Sequence, residues 1–177
     1  MRPYKGVENL LQEFILAQGE NSLSLRVIGA PQTRALAERL HQIAGDEPSI
    51  RLELERVNDD ALATAIVDSE LVVLPYRDIH NSGAALLALS LDRPILVPSN
   101  DVTIAWRQEF GDDYVHLYAA ELTADDLAAA VARVRSTDWA SIGPVSMDHR
   151  DWPSIGQAHR EAYLQALGDK DSVDLEL

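Results

Sequence analysis

The sequence predicts an α/β domain with a Rossmann-like, doubly wound parallel sheet and helices on both faces of that sheet. Three observations support this fold class. β-rich runs alternate with amphipathic segments, the connections are short, and the runs 71–75 and 94–99 are almost entirely apolar. A strand that is apolar on both faces is typical of a parallel sheet buried between two layers of helices.

The first third of the chain predicts helix, strand and helix in turn. A helix is expected over 7–17, followed by Gly19 as a stop signal. A strand over 23–28 ends at Gly29, and a helix over 31–45 has Pro31 in its opening turn. The apolar side of the first helix is predicted from residues at helical spacing, namely Val7, Leu10, Leu11, Phe14 and Ile15.

The pattern repeats in the middle of the chain. The alternating residues 50–57 predict a strand, and Asn58 is the expected N-cap of a helix over 58–69. The apolar strands 71–75 and 94–99 then flank a helix over 82–91. Each of these units is one strand followed by one helix. This order is expected when right-handed crossovers connect parallel strands.

The last third carries a weaker pattern. It predicts a helix over 102–110, an edge strand over 114–118 and a helix over 123–135 with Thr123 as N-cap. We therefore expect a domain over 1–136, a linker over 137–150, a helix within 151–168 packing on the domain, and an acidic tail over 169–177. One side of the last helix is predicted to hold Ile155, His159, Ala162, Tyr163 and Ala166.

Charge and composition narrow the function classes. The chain has 15 Lys and Arg against 29 Asp and Glu, a net charge of -14, so nucleic acids and anionic membranes are disfavoured as partners. It has no cysteine, and no run approaches the ~18 apolar residues of a membrane span. The expected location is the cytoplasm. Because the chain starts in the loop-like segment RPYKG, we expect a fragment whose first strand and preceding domain lie elsewhere.

The carboxyl ends of the strands are where a ligand is expected in an open parallel sheet. The richest segment there is 76–83, which follows an apolar strand and leads into a helix near Ser82. Backbone N–H groups at that helix start, with Gly83 allowing close approach, can hold a phosphate. The alternative is that Asn81 and Ser82 merely cap the helix. Arg77 and His80 are further candidate donors, although surface loops often carry such residues.

Two cations in the first loop, Arg2 and Lys5, are expected to face the same crevice and to neutralise a diphosphate leaving group. The alternative is a solvated charged turn. The sequence contains neither the G-x-G-x-x-G pattern nor a P-loop, and its five histidines are scattered without metal-ligand spacing. These absences disfavour a dinucleotide site, a P-loop site and a bound metal.

Two segments then carry a family resemblance. RPYKGVENLLQEF and LVVLPYRDIHNSGAALLALSLDRPILVPS resemble the start and the donor loop of the C-terminal domain of family 4 glycosyltransferases of the GT-B fold. The resemblance continues through DDLAAAVARV to about Leu167 and includes a closing helix with Trp152. It implies retaining transfer of a sugar from a nucleotide diphosphate to a saccharide or lipid-linked acceptor, in polysaccharide or glycolipid biosynthesis, without a bound metal or other cofactor.

The resemblance also implies roles for individual residues. The donor diphosphate would be held by Arg2, Lys5, Ser82 and Gly83, and the acceptor would bind an N-terminal domain outside this chain. That missing half could touch the inner face of a membrane. The nucleotide and sugar would be bordered by Gly29, Arg56, Val57, Asn58, Tyr76, Arg77, Asp78, His80 and Asn81.

One departure from the family leaves alternatives open. Many members carry two glutamates eight positions apart around the donor helix, and the matching residues here are Ile79 and Leu87, with Asp78 as a replacement for the first. A degenerate glycosyltransferase scaffold is therefore one alternative. A non-catalytic α/β binding module of receiver or flavodoxin type is another.

Overall fold

A computed structural model describes residues 5–18, 22–77 and 82–150, together with residues 157, 160, 161, 164 and 165. The chain divides into two compact units, Met1–Val145 and Ser146–Leu177. The described part of the second unit contains a short 3-10 turn, Asp148–Arg150, and five residues in helical conformation. The predicted apolar side of the last helix lies outside the described residues.

The first unit alternates helices and strands as predicted. Its helices are α1 Val7–Ala17, α2 Arg34–Ala44, α3 Asp59–Val67, α4 Gly83–Ser90, α5 Asp101–Phe110, α6 Ala124–Ser136 and α7 Trp139–Ile142. Its strands are β1 Leu25–Ile28, β2 Ile50–Glu53, β3 Val72–Val73, β4 Ile95–Pro98 and β5 Val115–Tyr118. The α/β, Rossmann-like fold class is confirmed.

All described strand pairs are parallel, but they form two separate ladders. β1 pairs with β2, and β3, β4 and β5 pair in that order. The expected edge position of β5 is confirmed within the described strands, because β5 pairs with β4 alone. The connections between the strands are therefore those predicted for a doubly wound sheet. Among the described residues, however, the hydrogen-bonded sheet is interrupted between β1 and β3.

Helix α1 packs across both ladders. Its Leu10 and Phe14 are buried with Leu96 of β4 and Tyr118 of β5, while its Leu11 is buried with β1 and α2. Helices α2 and α6 contact α1 and form one layer with it. The chain passes from β1 to β2 in one direction along the sheet, and from β2 through β3 and β4 to β5 in the opposite direction. With right-handed crossovers, α3, α4 and α5 therefore cover the face of the sheet opposite to α1.

The helix starts are set by local side chains. Within the described residues, five helices begin at a capping side chain that accepts a hydrogen bond from a backbone N–H in the first turn. The predicted caps Asn58 and Thr123 are confirmed. The remaining three caps are Thr33, Ser82 and Asn100.

Several predicted boundaries were wrong. Helix α2 begins at Arg34 because Thr33 caps it, so Pro31 precedes the helix instead of opening it. The strand predicted over 50–57 ends at Glu53, and the one predicted over 71–75 is reduced to Val72–Val73. Ile15, predicted on the apolar side of α1, is 41% exposed. Apolar patterns locate these elements well, but cap and pairing geometry determine where they stop.

The segment predicted as a linker begins with a short packed helix. Trp139 lies edge-on to Tyr114, with ring centroids 5.2 Å apart, and its Nε1 donates to the Val134 carbonyl at 3.1 Å. The Tyr114 hydroxyl donates to the Gly143 carbonyl at 2.7 Å. These contacts attach residues 139–143 to the first unit, whose compact part ends at Val145.

Candidate functional site

The candidate site is a cavity of about 890 Å³ within the first unit, between β1 and β3. Since all described strands are parallel, their carboxyl ends lie at one edge of the sheet, and the cavity reaches that edge at Gly29 and Tyr76. Three of the predicted site residues border it, namely Lys5, Gly29 and Tyr76. Ala84, in the first turn of α4 beside Gly83, also lines it. The structure therefore brings the first loop, the end of β1 and the end of β3 together.

Lys5 is held against the aromatic ring that follows β3. Its Nζ lies 3.2 Å from the hydroxyl of Tyr76 and 4.9 Å from the centroid of that ring. A cation over an aromatic face is attracted by the ring's quadrupole. Because an ammonium group has three donors, contact with the Tyr76 hydroxyl leaves donor capacity for an anion in the cavity.

Tyr76 is itself fixed from behind. Its side chain is buried, and its backbone carbonyl accepts a hydrogen bond from the Tyr118 hydroxyl at 3.1 Å. Burial raises the pKa of Tyr118 far above its ordinary value, so this hydroxyl stays protonated and remains a donor. Lys5 is thus positioned by a buried support that reaches across to β5.

Gly6 brings the start of α1 against the end of β3. It adopts φ +64°, and a Cβ at this position would lie 1.9 Å from the Pro75 carbonyl oxygen. A side chain would therefore meet both a backbone conformation that favours glycine and a direct clash with backbone. This close approach places Lys5 beside Tyr76.

The N-terminus of α4 is the second part of the site. Ser82 is 5% exposed, and its hydroxyl accepts a hydrogen bond from the Ala85 N–H at 3.3 Å. Next to it, the space that a Cβ of Gly83 would point into is open to 4 Å. The first turn of α4 contains no acidic residue, so its N–H groups keep a partial positive charge. Ser82 is seen here as a cap, while the backbone at Gly83 is accessible to an anion.

The remaining predicted residues are arranged differently. Arg56, Val57 and Asn58 follow β2 and do not line the cavity, and the Asn58 side-chain oxygen caps α3 by accepting from the Ala61 N–H at 2.8 Å. Arg77 is exposed beside Tyr76, also outside the cavity lining. Arg2, Asp78, His80 and Asn81 lie outside the described residues, so their roles stay predictions, as do those of Arg56, Val57, Asn58 and Arg77.

Two residues of the site were missed by the sequence analysis. Gly6 could have been found, because a glycine directly before an amphipathic helix often marks a close approach of the backbone. Tyr118 carried no such signal, since its position in an edge strand does not show that its hydroxyl supports Tyr76. Within the part of the chain that the structure describes, no cluster of three or more histidine or carboxylate side chains is arranged to hold a metal ion.

Comparisons with known proteins identify relatives of this chain. No family model matches it. Two curated proteins, both named GDP-mannose:glycolipid 4-beta-D-mannosyltransferase and both from Xanthomonas campestris pv. campestris, are each 41% identical to it over 169 residues. The alignment covers 95% of this chain and 47% of each relative. The chain therefore spans about half the length of the curated relatives it matches, and it is similar to part of a glycosyltransferase.

The similarity supports the expectation of a glycosyltransferase segment and of further polypeptide beyond this chain. Among the helices that the structure describes, none has the length and apolar character needed to cross a bilayer.

Proposed function

We propose that this chain is the donor-binding half of a glycosyltransferase that uses a GDP-linked sugar and a glycolipid acceptor. The observation that carries the proposal is the 41% identity over 95% of the chain to proteins named as GDP-mannose:glycolipid mannosyltransferases. Their name supplies the donor and acceptor classes. The finer assignment to the family 4 group of GT-B enzymes rests on the sequence resemblance.

The geometry of the carboxyl edge supports the donor role. A sugar nucleotide presents two phosphates, and its diphosphate becomes the leaving group when the sugar is transferred. Lys5 supplies one positive charge at the cavity, and the first turn of α4 supplies a second centre of positive potential. Charge that develops on the diphosphate in the transition state is stabilised by such fixed donors. Arg2 is the further cation that we assign to this group.

The nucleoside would occupy the opposite side of the cavity mouth. Gly29, at the end of β1, has φ +133° and borders the cavity without a side chain. A base or ribose can therefore approach the backbone there. The loop with Arg56, Val57 and Asn58 follows the neighbouring strand β2 and is the next segment along this edge. We place the sugar near Tyr76, Arg77 and the segment that precedes Ser82.

The acceptor site and part of the catalytic groups are assigned to the other half of the full-length protein, because this chain spans only 47% of its relatives. Catalysis in the proposal needs no bound metal, since Lys5, Arg2 and the α4 N-terminus carry the charge of the leaving group. The reaction is expected at the cytoplasmic face of a membrane, where a glycolipid acceptor and a soluble nucleotide sugar can meet.

The stereochemistry of the transfer is a separate part of the proposal. The resemblance implies retention, and the relatives' name specifies a β linkage in their product. A β product results from retention if the donor sugar is β-linked to its diphosphate, and from inversion if it is α-linked. NMR of the anomeric proton in donor and product decides between them, and a change of configuration would remove retention from the proposal.

Calorimetric titration tests donor binding. We expect the chain, or the full-length protein if the chain alone is too weak, to bind GDP-mannose more tightly than UDP- or ADP-linked sugars. Lys5→Ala is expected to weaken binding about tenfold or more, because a hydrogen bond to a charged group contributes about 1.5–3 kcal/mol. Arg133→Ala is the matched control. Arg133 is also a cation in an ion pair, with Asp113 at 3.0 Å, but it lies near the end of α6 at the opposite edge of the sheet.

Three results would count against the proposal. Equal losses in Lys5→Ala and Arg133→Ala would show a nonspecific charge effect. Tightest binding of a UDP- or ADP-linked sugar would overturn the GDP assignment. Failure of the full-length protein to bind any nucleotide sugar would favour the degenerate scaffold instead.

A further inference from the structure

Residues 118–124 connect the end of β5 to the start of α6, and we call them the β5–α6 segment. The structure describes every residue of this segment, and none of them lines the candidate cavity. Tyr118, the last residue of β5, is 2% exposed, and Leu122 is 3% exposed. The segment is therefore a firmly packed part of the carboxyl edge that lies outside the cavity itself.

Two polar side chains attach α1 to the β5–α6 segment. The Nδ2 of Asn9 donates a hydrogen bond to the Leu122 carbonyl at 2.8 Å, and the carboxylate of Glu13 accepts one from the Ala124 N–H at 2.8 Å. Because residues four positions apart lie on the same side of a helix, the two bonds form a row along α1. Together they fix the rotation of α1 about its axis and its position along that axis.

The surroundings of these bonds make them suitable for holding α1. The Ala124 N–H belongs to the first turn of α6, where backbone donors have no carbonyl partner within the helix. A carboxylate at this end also interacts favourably with the partial positive charge of the helix N-terminus. Beside the two bonds, Leu10 and Phe14 of α1 are buried in one cluster with Leu122. Polar and apolar contacts therefore hold α1 on the same segment.

The β5–α6 segment also holds the partner of Lys5. The Tyr118 hydroxyl donates to the Tyr76 carbonyl at 3.1 Å, which attaches the end of β3 to the segment. Lys5 lies two residues before α1, and its Nζ is 3.2 Å from the Tyr76 hydroxyl. A movement of α1 along the segment would therefore change the distance between Lys5 and Tyr76.

We propose that Asn9 and Glu13 are positioning residues for diphosphate binding, which fix α1 on the β5–α6 segment so that the Lys5 ammonium stays over the Tyr76 ring. The inference rests on the proposed donor-binding function. Neither Asn9 nor Glu13 belongs to the described lining of the cavity, so both act through Lys5. A lysine that is already held at the cavity loses less side-chain entropy when it binds an anion, and its contribution to affinity is larger.

Calorimetric titration of the full-length protein with GDP-mannose tests the inference. Asn9→Asp removes the donor and places a carboxylate oxygen against the Leu122 carbonyl, and Glu13→Ala removes the acceptor. Each change is expected to weaken binding about three- to tenfold, the equivalent of one hydrogen bond, and no more than Lys5→Ala does. When combined with Lys5→Ala, neither change should weaken binding further, because coupled residues are not additive.

Two variants of α1 serve as matched controls. Glu13→Gln keeps an oxygen that can accept from the Ala124 N–H, so it should retain most of the affinity that Glu13→Ala loses. Glu8→Ala removes a carboxylate of the same helix that pairs with Arg39 of α2 at 2.5 Å. Arg39 is 68% exposed, and an exposed ion pair contributes little to stability. Donor affinity should therefore be unchanged in Glu8→Ala, and denaturant midpoints confirm that every variant is folded.

NOEs between the Lys5 side chain and the Tyr76 ring measure the geometry without a donor. They should be present in the unmodified protein and in Glu8→Ala, and weaker in Asn9→Asp and Glu13→Ala. Unchanged NOEs in both of these variants would overturn the inference, and so would equal losses of affinity with and without Lys5. If the NOEs respond as expected but the unmodified protein binds no nucleotide sugar, the proposed function is overturned, and the role in diphosphate binding with it.

Discussion

Strands β3 and β4 are neighbours with almost the same kind of sequence and very different burial. The apolar residues Ile95, Leu96 and Val97 of β4 are 0–1% exposed, whereas Val72 and Val73 of β3 are only half-buried. Among the described strands, β4 pairs with β3 and β5, while β3 and β5 each pair with β4 alone. β5 is nevertheless almost as buried as β4, so neither composition nor the number of partners explains the difference. Val72 and Val73 line the cavity between β1 and β3, whereas no residue of β4 does.

The comparison teaches how an apolar run should be interpreted. LVVLP was predicted to be a fully buried strand because it contains nothing polar. That property describes a strand with a neighbour on each edge and helices on both faces. In this chain the run has only part of that environment, since Val72 and Val73 line the cavity between β1 and β3. An apolar run therefore predicts a strand in the interior of the domain, but it does not predict whether a cavity lies beside that strand.

The largest expected effect concerns the end of β3, where Gly6 touches Pro75. Gly6→Ala is expected to lower the free energy of unfolding by an amount at the upper end of the ~1–3 kcal/mol typical of strained backbone. The new Cβ would lie 1.9 Å from the Pro75 carbonyl oxygen, so α1 would have to shift away from β3. Urea denaturation of the variant and the unmodified chain measures the change.

Ala120 provides the control for this prediction. It already adopts φ +57°, which shows that alanine is compatible with left-handed backbone in this fold. Ala120→Gly should therefore change stability by less than about 1 kcal/mol. A small effect for Gly6→Ala as well would mean that α1 is not held against the end of β3.

The second prediction compares equivalent valines in the two strands. Val97→Ala is expected to cost about 2 kcal/mol, because two methylene-sized groups are worth about 1.6 kcal/mol and a small cavity adds to this. Val73→Ala should cost about half as much in the 177-residue chain, since Val73 is only half-buried. The denaturant midpoints of both variants, compared at the same m-value, give the two losses of unfolding free energy.

Equal losses of stability in Val73→Ala and Val97→Ala would contradict the comparison. They would show that β3 is as buried as β4 in solution, and that no cavity separates β3 from β1.

Much of the fold was predictable because it depends on local patterns. The spacing of Leu10, Leu11 and Phe14 predicted α1, and the capping residues Asn58 and Thr123 were found from their side chains alone. Strand lengths were not predictable in the same way. β2 and β3 stop early because a strand lasts only as long as its partner pairs with it, and pairing is a nonlocal property.

The candidate site shows the same distinction between local patterns and nonlocal contacts. Lys5 and Tyr76 could be named from their positions after a loop and a strand, but their contact depends on the close approach of Gly6 to Pro75. Tyr118 could not be named, because its hydrogen bond to the Tyr76 carbonyl joins residues 42 positions apart. Local signals therefore identified which segments meet at the carboxyl edge, while the supporting contacts required the folded chain.

The smallest expected effect is a pH dependence of the unfolding free energy, which arises from His116 in β5. His116 is 8% exposed, and its Nε2 has no hydrogen-bond partner among the described residues. Burial, followed by the charge of Arg133, lowers the pKa of His116 below its ordinary 6.5, although Asp113 opposes this in part. The unfolded chain therefore binds a proton at a higher pH than the folded chain does.

The sign of the effect follows from that difference. The stabilisation from His116 is fully present above pH 6.5 and is lost as the pH falls from there toward the lower pKa of the folded state. Carboxylates with lowered pKa values, such as the partly buried Glu53 beside Arg26, keep their stabilising contribution until the pH falls below about 4.5, so they do not affect this range. Denaturant midpoints measured between pH 7.5 and 5 should fall for the unmodified chain and stay flatter for His116→Gln. Equal slopes for the two proteins would mean that His116 is accessible to water, and that β5 is less buried than β4 after all.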